Sequence, residues 1–257
     1  MTKKKQKILT IVTVVKNDVQ NIRKTIRSVI TQKNNNLEYI IVDGKSKDGT
    51  LKIISNYKKY LDKIIIGKDS GIYHAMNKGI KNSSGKYIGF CNSGDLLTKH
   101  SVNILMKCLN KNPDVLFATV KRHYLGKSII KYGYNLNRLK YNFDFATSHS
   151  TGFYIKKSLH KIIGLYDTEF KCSSDYDLYY RLLINRKVNI GRTPKNKIIG
   201  VVQKGGFSSS LTPLEHLTEE TKIRIKNKQN LLFILIIYIN TLVKILLKKF
   251  LPKKTNV

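Results

Sequence analysis

The chain has 257 residues, of which 48 are Lys or Arg and 16 are Asp or Glu, so its formal net charge is +32 at pH 7. This length can bury a substantial core, and the apolar content is ordinary for a globular protein, which argues against a disordered chain. The charge predicts attraction to nucleic acid, anionic lipid or phosphate-bearing substrates. Because lysine is abundant everywhere, the charge alone selects no partner.

The cysteines indicate a reduced, cytoplasmic protein. Cys91, Cys108 and Cys172 are odd in number and far apart, without the spacings of a zinc site or a disulfide framework. The apolar run Ile8–Val15 is too short for a signal peptide and is followed by charged residues, which favours a buried strand.

The first hundred residues alternate between β-branched runs and helical periods. The predicted strands are Ile8–Val15, Tyr39–Val42, Ile64–Ile66 and Tyr87–Cys91, and the predicted helices are Asn21–Thr31, Thr50–Tyr60 and Tyr73–Lys81. Strand–helix–strand repetition with short connections requires right-handed crossovers and a mainly parallel sheet. The fold class is therefore α/β.

The alternation weakens after Asp95. Helices are predicted at Ser101–Asn110 and Asp175–Leu183, and strands at Val115–Val120, Thr151–Ile155 and Ile198–Val202. The stretch Lys121–Asp144 is basic, rich in Tyr and Asn, and without a period. Such a stretch predicts a long loop with a functional task.

The C-terminal segment has a composition of its own. Leu231–Val243 is mostly apolar, yet it is too short and interrupted for a membrane span, which needs about 20 apolar residues. Asn240, Lys244 and Lys248 recur every fourth residue, which predicts an amphipathic helix lying on an anionic membrane surface through residues 231–254. The alternative is a helix packed on the domain or on another subunit.

Polar residues follow three of the predicted strands, where α/β proteins bind ligands. Asp43 directly follows the second strand and could accept hydrogen bonds from a base or a ribose. Asp48 and Thr50 could equally cap the next helix. Asp95, in Asn-Ser-Gly-Asp after the fourth strand, could hold a divalent ion on a diphosphate, although Gly-Asp is also a common turn pair. Asp69, after the third strand, could likewise be a ligand group or part of an ordinary turn.

A second acidic group lies in Ser174-Asp-Tyr-Asp-Leu178. Ser174 and Asp177 have the spacing of a capping box, and Asp177 pairs with Arg181 at i, i+4. Asp175 is left without a structural task. A helix N-terminus would keep it ionised, which suits a general base; the alternative is a solvated acid of the first turn.

These motifs together resemble the family 2 glycosyltransferases of the GT-A fold. Five blocks within about residues 8–210 match in order: Ile11–Lys16, Asp43–Thr50, Asp69–Gly79, Gly85–Asp95 and Ser174–Leu178 with Arg181. The segment Gly205-Gly-Phe-Ser208 is similar to the block that closes the domain in the subgroup acting in bacterial surface-polysaccharide assembly.

The resemblance implies an inverting sugar transfer from a nucleotide-diphosphate sugar, with uridine as the expected base. It implies Asp175 as catalytic base, Asp95 as ligand of Mn²⁺ or Mg²⁺, and His149 near the acceptor. The implied donor-binding residues are Val14, Asp43, Ser46, Asp69, Asn77 and Ser93. The acceptor would be a lipid-linked or growing surface glycan at the inner face of the cell membrane.

The resemblance also implies a division of the chain. Residues 1–210 would form the transferase domain, with a donor half at about 8–98 and an acceptor half at 99–210. Residues 211–257 would form a basic, helical, membrane-associating tail. Acceptor specificity would lie in Lys121–Asp144 and after Gly206.

Three positions depart from the family pattern. Asp95 is the single acid of its motif, His74 stands where relatives usually have an acid, and Ser174 replaces a frequent Glu. The weak metal motif leaves a non-catalytic, membrane-bound relative as an alternative. A basic nucleic-acid-binding protein is a second alternative, disfavoured because no recognised nucleic-acid-binding motif is present.

Overall fold

The structure is a computed structural model that describes residues 6–124, 127–135, 137, 150–184, 187–203 and 211–250. The strands of the described residues are β1 Leu9–Val15, β2 Leu37–Asp43, β3 Lys63–Ile66, β4 Tyr87–Phe90, β5 Leu96–Leu97, β6 Val115–Phe117, β7 Val120–Tyr124, β8 Lys127–Lys131, β9 Phe153–Lys156, β10 Ile190–Arg192 and β11 Gly200–Val202. The α-helices are α1 Ile22–Ile30, α2 Thr50–Asn56, α3 Ile72–Asn82, α4 Ser101–Leu109, α5 His160–Ile163, α6 Ser174–Tyr179, α7 Pro213–Lys226 and α8 Leu231–Phe250.

A seven-stranded sheet has the order β10-β6-β9-β4-β1-β2-β3. Every pairing in it is parallel except the two that β9 makes with β4 and β6. All residues of β1 and β2 are buried, as continuous β-branched runs require in a sheet covered on both faces. The expected mainly parallel α/β sheet is confirmed.

A second, four-stranded sheet has the order β5-β11-β7-β8. Its hairpin of β7 and β8 occupies part of Lys121–Asp144, so the prediction of one long loop there is wrong. The predicted strand Val115–Val120 is also wrong as a single element, because β6 and β7 enter different sheets. Residues 125–126, 136 and 138–144 of the expected loop lie outside the described residues.

Side chains pack on both faces of the large sheet. One cluster joins β1, β2 and α3 to the aromatic residues of α6, and the other joins the opposite face to α1 and α4. Two glycines allow close packing: a Cβ on Gly79 of α3 would lie 2.5 Å from Val12 Cγ1, and one on Gly89 of β4 would lie 2.3 Å from the Tyr154 ring.

Two helices follow the sheets. Helix α7 begins with a capping box in which Thr212 Oγ1 accepts from the Glu215 amide and the Thr212 amide donates to Glu215. The Arg224 side chain of α7 is buried, and its Nη1 donates to Tyr180 and Gln229. Helix α8 packs against α7. No helix in the described part of the chain is long and apolar enough to cross a bilayer.

Candidate active site

The carboxyl ends of β1, β2 and β4 meet in one crevice. The amide of Gly44 donates to the Val15 carbonyl at 2.9 Å, and the amide of Ser93 donates to the Val14 carbonyl at 3.2 Å. The amide of Gly67, after β3, donates to the Asp43 carbonyl at 3.0 Å. Because parallel strands bring their carboxyl ends to the same edge, residues from three separate sequence motifs become neighbours.

Asp43 and Ser46 form a closed turn at this edge. Asp43 Oδ1 accepts from the Ser46 amide at 2.8 Å and Oδ2 from the Ser46 hydroxyl at 2.7 Å, while Ser46 Oγ accepts from the Asn17 amide. The Asp43 side chain is fully buried. The structure thus brings the two residues together, and their contact with a donor stays a prediction.

Asp48 holds the start of α2. Its Oδ1 accepts from the Thr50 amide and hydroxyl, and its Oδ2 accepts from the Val19 amide at 3.0 Å. The N-cap position itself is Gly49, whose left-handed φ of 96° suits glycine. Asp48 therefore has the structural role that its position before a helix allowed.

Asp69 has an unused acceptor atom. Its side chain is 6% exposed, and Lys78 Nζ lies 2.6 Å from Oδ1. In the part of the chain that the structure describes, Oδ2 has no hydrogen-bond partner, and a Cβ added to Gly44 would lie 3.3 Å from it. Because a buried acceptor without a partner is costly, a ligand hydroxyl or N–H in this crevice would satisfy it.

Asn77 and Ser93 make defined contacts within the protein. Asn77 Nδ2 donates to the Tyr166 carbonyl at 2.8 Å, and Asn77 Oδ1 accepts from the Tyr166 amide at 3.0 Å. The amide thereby ties α3 to the loop after α5. Ser93 Oγ donates to Asp18 Oδ2 at 2.6 Å beside the crevice. Donor contacts by both residues stay predictions.

Asp95 lies at the junction of the two sheets. Its side chain is buried, Oδ2 accepts from the Thr151 hydroxyl at 2.9 Å, and Oδ1 accepts from the Gln203 amide at 3.3 Å. Among the described residues, no group of three or more His, Cys, Asp or Glu could hold a metal ion. Any ion here would draw most of its ligands from elsewhere.

Asn92 contributes a second oxygen to the same motif. Asn92 Nδ2 donates to Ser150 Oγ at 3.1 Å, whereas the buried Asn92 Oδ1 has no hydrogen-bond partner among the described residues. Carboxylate and amide oxygens are the ligands that hard divalent cations prefer, and Mg²⁺ commonly uses one or two carboxylates with substrate phosphates. The oxygen chemistry of Asp95 and Asn92 suits a divalent ion whose remaining ligands a diphosphate and water would supply.

Asp175 lies at the start of α6, against α3. Its Oδ1 is 3.3 Å from the Tyr73 hydroxyl, which also donates to the Cys172 carbonyl at 2.6 Å. Burial raises the pKa of Asp175 to about 7, against the opposing effect of hydrogen bonds from the Tyr176 amide and Tyr73. The expectation that the helix dipole keeps Asp175 ionised is wrong below neutral pH, because desolvation of the carboxyl outweighs the hydrogen bonds that it accepts at the start of the helix.

Two further predictions at this helix have different outcomes. The capping box is wrong: Ser173 is the N-cap residue without a side-chain cap hydrogen bond, and the buried Ser174 Oγ finds no hydrogen-bond partner within the described ranges. The Asp177–Arg181 pair is confirmed, with Arg181 Nη2 2.8 Å from Asp177 Oδ2. Arg181 also donates to the carbonyls of Ile163 and Leu165 and so fixes the loop after α5.

Sequence reasoning missed Tyr73 and Glu219. Tyr73 adjoins His74 in a recognised motif, but its hydroxyl contact with Asp175 joins residues 102 positions apart. Glu219 lies outside all five motifs, and its carboxylate accepts from the Lys171 and Cys172 amides. His74 Nδ1 lies 3.0 Å from Ser70 Oγ on an exposed surface. His149 and the Gly205–Ser208 block lie outside the described residues.

Comparison with known proteins identifies the family. The sequence model described as "Glycosyl transferase family 2" matches residues 10–163, which is more than half of the chain. The protein therefore belongs to the family 2 glycosyltransferases. An uncharacterized glycosyltransferase of Rickettsia prowazekii is 28% identical over 244 residues, covering 85% of this chain and 75% of the relative.

A second relative comes from polysaccharide assembly. A Bacillus subtilis glycosyltransferase, TuaG, whose name assigns it to teichuronic acid biosynthesis, is 33% identical over 91 residues, covering 34% of this chain and 36% of the relative. The chain spans 58% of the length of a Rickettsia typhi glycosyltransferase with which it is 29% identical.

Solved structures show the same GT-A fold. Staphylococcus aureus TarS 1–349 in complex with UDP-GlcNAc superposes with a TM-score of 0.69 at 20% identity, covering 85% of this chain and 66% of that one. A mannosyltransferase of Pyrobaculum calidifontis in complex with GDP-Man and Mn²⁺ has a TM-score of 0.60 at 14% identity, covering 86% and 64%.

Proposed function

We propose that this protein is an inverting glycosyltransferase that moves a sugar from a nucleotide-diphosphate sugar, with UDP as the expected nucleotide, to a hydroxyl of a lipid-linked or growing surface glycan. The observation that carries the proposal is Asp175, a largely buried carboxyl whose pKa is raised to about 7. Such a group can accept a proton near neutral pH, which an attacking acceptor hydroxyl must lose.

The donor side supplies the complementary part of the reaction. Negative charge grows on the leaving diphosphate, so the transition state needs a cation there. Asp95 and Asn92 would hold Mn²⁺ or Mg²⁺, which would supply that charge. The open Asp69 Oδ2 would accept a hydrogen bond from the nucleoside, beside the turn formed by Asp43 and Ser46.

The ligands and names of the similar proteins support the proposed class of substrate. Each ligand is stated for that protein and not for this chain. TarS was solved with UDP-GlcNAc, the mannosyltransferase with GDP-Man and Mn²⁺, and TuaG is named for a surface polysaccharide. The sugar transferred would be a hexose or an N-acetylhexosamine.

The experiment combines donor binding with transfer. A panel of UDP- and GDP-sugars is titrated with Mn²⁺ into the full chain by calorimetry, and transfer is measured on lipid-linked glycan acceptors. Asp95→Ala is expected to weaken metal-dependent donor binding at least about tenfold, since a charged ligand is lost. Asp175→Asn is expected to keep donor binding and to lose transfer by about 10²-fold or more.

The matched control is Asp62→Asn. Asp62 Oδ2 accepts from the Tyr39 amide near the start of β2, at the edge of the sheet opposite the crevice. This variant should bind and transfer as the unaltered protein does. Undiminished transfer by Asp175→Asn would contradict its role as base. Salt-sensitive binding to DNA or RNA without binding of any nucleotide sugar would favour the polyanion-binding alternative.

A further inference from the structure

Helix α7 contacts the backbone that leads into the base. The Glu219 carboxylate accepts from two consecutive amides, with Oε1 2.6 Å from the Lys171 nitrogen and Oε2 3.1 Å from the Cys172 nitrogen. A carboxylate that accepts from two backbone amides makes strong, directional hydrogen bonds. Glu219 therefore fixes the peptide three residues before Asp175.

The fixed peptide connects to Asp175 through Tyr73. The Cys172 carbonyl accepts from the Tyr73 hydroxyl at 2.6 Å, and the same hydroxyl lies 3.3 Å from Asp175 Oδ1. A phenol has one proton, so the shorter bond to Cys172 limits what Tyr73 can donate to Asp175. If the Cys172 carbonyl moved away, Tyr73 could donate fully to Asp175 and stabilise its ionised form.

The Tyr73 ring is itself held in place. It stacks on the Tyr166 ring with centroids 5.4 Å apart and is buried. Movement of the loop at Cys172 would therefore change the direction of the hydroxyl bond more than the position of the ring.

We propose that Glu219 is a positioning residue for Asp175, acting through the Lys171–Cys172 backbone and the Tyr73 hydroxyl. The inference rests on the proposed function in naming Asp175 as the base. It assigns to α7, a helix beyond the residues that match the family model, a part in setting how readily the base accepts a proton.

Several groups face Asp175 and define what titrates there. Tyr73 approaches from α3, Tyr166 from the loop after α5, Tyr179 from α6 and Glu219 from α7. The tyrosine pKa values are raised by burial, so these groups stay neutral at pH 5–9. Glu219 is the charged group among them, and its negative charge adds to the effect of burial on the pKa of Asp175.

The test compares Glu219→Gln with Glu169→Gln. The first removes the charge and one acceptor, and the second removes the same charge from a side chain that is 82% exposed. Glu219→Gln is expected to move the midpoint of the kcat/KM–pH profile to lower pH by about half a unit, the effect of losing one nearby charge. It should lower kcat at pH 8 with donor KM unchanged, while Glu169→Gln leaves both unchanged.

Tyr73→Phe is expected to shift the midpoint of the kcat/KM–pH profile in the opposite direction. It removes the hydroxyl that stabilises ionised Asp175 and keeps the ring, so the midpoint should rise. Titration of the ¹³C-labelled Asp175 carboxyl by NMR, identified by its loss in Asp175→Asn, reads the same shifts without any turnover. This measurement distinguishes the positioning role of Glu219 from the proposed function. If the unaltered protein shows no transfer, only the proposed function is contradicted. An unchanged carboxyl midpoint in Glu219→Gln, or a fall in Tyr73→Phe, would overturn the positioning role.

Discussion

The pKa values of two carboxyl groups, the buried Glu38 and the partly buried Asp175, shift in opposite directions. Burial alone would raise the pKa of Glu38, but hydrogen bonds from the Ser84 amide, the Thr10 hydroxyl and the Ser84 hydroxyl outweigh it and lower the pKa. At Asp175 burial outweighs the opposing hydrogen bonds from the Tyr176 amide and Tyr73, and the negative charge of Glu219 adds to the effect of burial, so the pKa rises to about 7. The protein thus keeps a proton-accepting acid beside stable structural ones.

Asp175 should impose a pH dependence on transfer. The base is ionised only above its pKa, so kcat/KM is expected to fall about tenfold per pH unit below pH 7. A rate profile from pH 5 to 9 at saturating Mn²⁺ checks this. A profile that stays flat down to pH 5 would contradict the assignment.

Asp175 should also make the stability of the fold depend on pH, and the free energy of unfolding should fall where the rate of transfer rises. In the unfolded chain Asp175 ionises near its ordinary pKa of 3.8, whereas in the folded protein it holds its proton to about pH 7. The stabilising contribution is complete below about pH 4 and is lost as the pH rises to about 7. Urea titrations at several pH values should show a smaller decline over this range for Asp175→Asn than for the unaltered protein.

At the scale of elements, close packing at glycines sets the shape of the large sheet. A Cβ on Gly89 of β4 would lie 2.3 and 2.4 Å from atoms of the Tyr154 ring on the neighbouring β9. Both residues belong to central strands and cannot move apart without disturbing their neighbours.

Gly89→Ala is therefore expected to lower the free energy of unfolding by about 1–3 kcal/mol, the usual cost of overpacking a core. Gly67→Ala is the control, because its Cβ would meet only the flexible end of Lys78 at 3.3 Å. Thermal or urea unfolding measures both. Equal stabilities of the two variants would show that the Tyr154 ring can give way.

At the scale of the whole molecule, α8 presents an apolar surface to solvent in the described part of the chain. Its large apolar side chains that are at least 44% exposed are Leu231, Leu232, Leu235, Ile236, Ile239, Val243, Leu246 and Leu247. Ile234 is buried against the rest of the protein. The exposed apolar side chains of α8 support the proposal that the segment 231–254, of which the structure describes residues 231–250, binds a membrane surface.

Deleting residues 231–257 should release the protein from anionic liposomes in a sedimentation assay. Each lysine near such a surface contributes roughly 1 kcal/mol of attraction, so binding by the full chain should weaken with added salt. The double variant Leu235→Asp, Ile239→Asp should also lose binding, while Thr241→Ser should keep it. Undiminished sedimentation of the deletion variant would contradict the membrane role of α8.

The order of the first four strands and their helices was readable from the sequence, because buried parallel strands are continuous β-branched runs and their crossover helices repeat at a helical period. The same logic located Asp43, Asp69 and Asp95 at strand ends. The β7–β8 hairpin is not predicted from the sequence, because its residues are largely exposed and polar and its strands show no alternation of apolar and polar residues.

The chemistry of the site depends on contacts between residues far apart in the chain. Asp175 was found by its motif, yet its raised pKa comes from burial against Tyr73 and the surrounding tyrosines, which no local pattern encodes. The bonds from Glu219 to Lys171 and Cys172 cross 48 and 47 positions. Local sequence specifies which groups can do the chemistry, whereas desolvation and long-range hydrogen bonds, which exist only in the folded chain, set how strongly they do it.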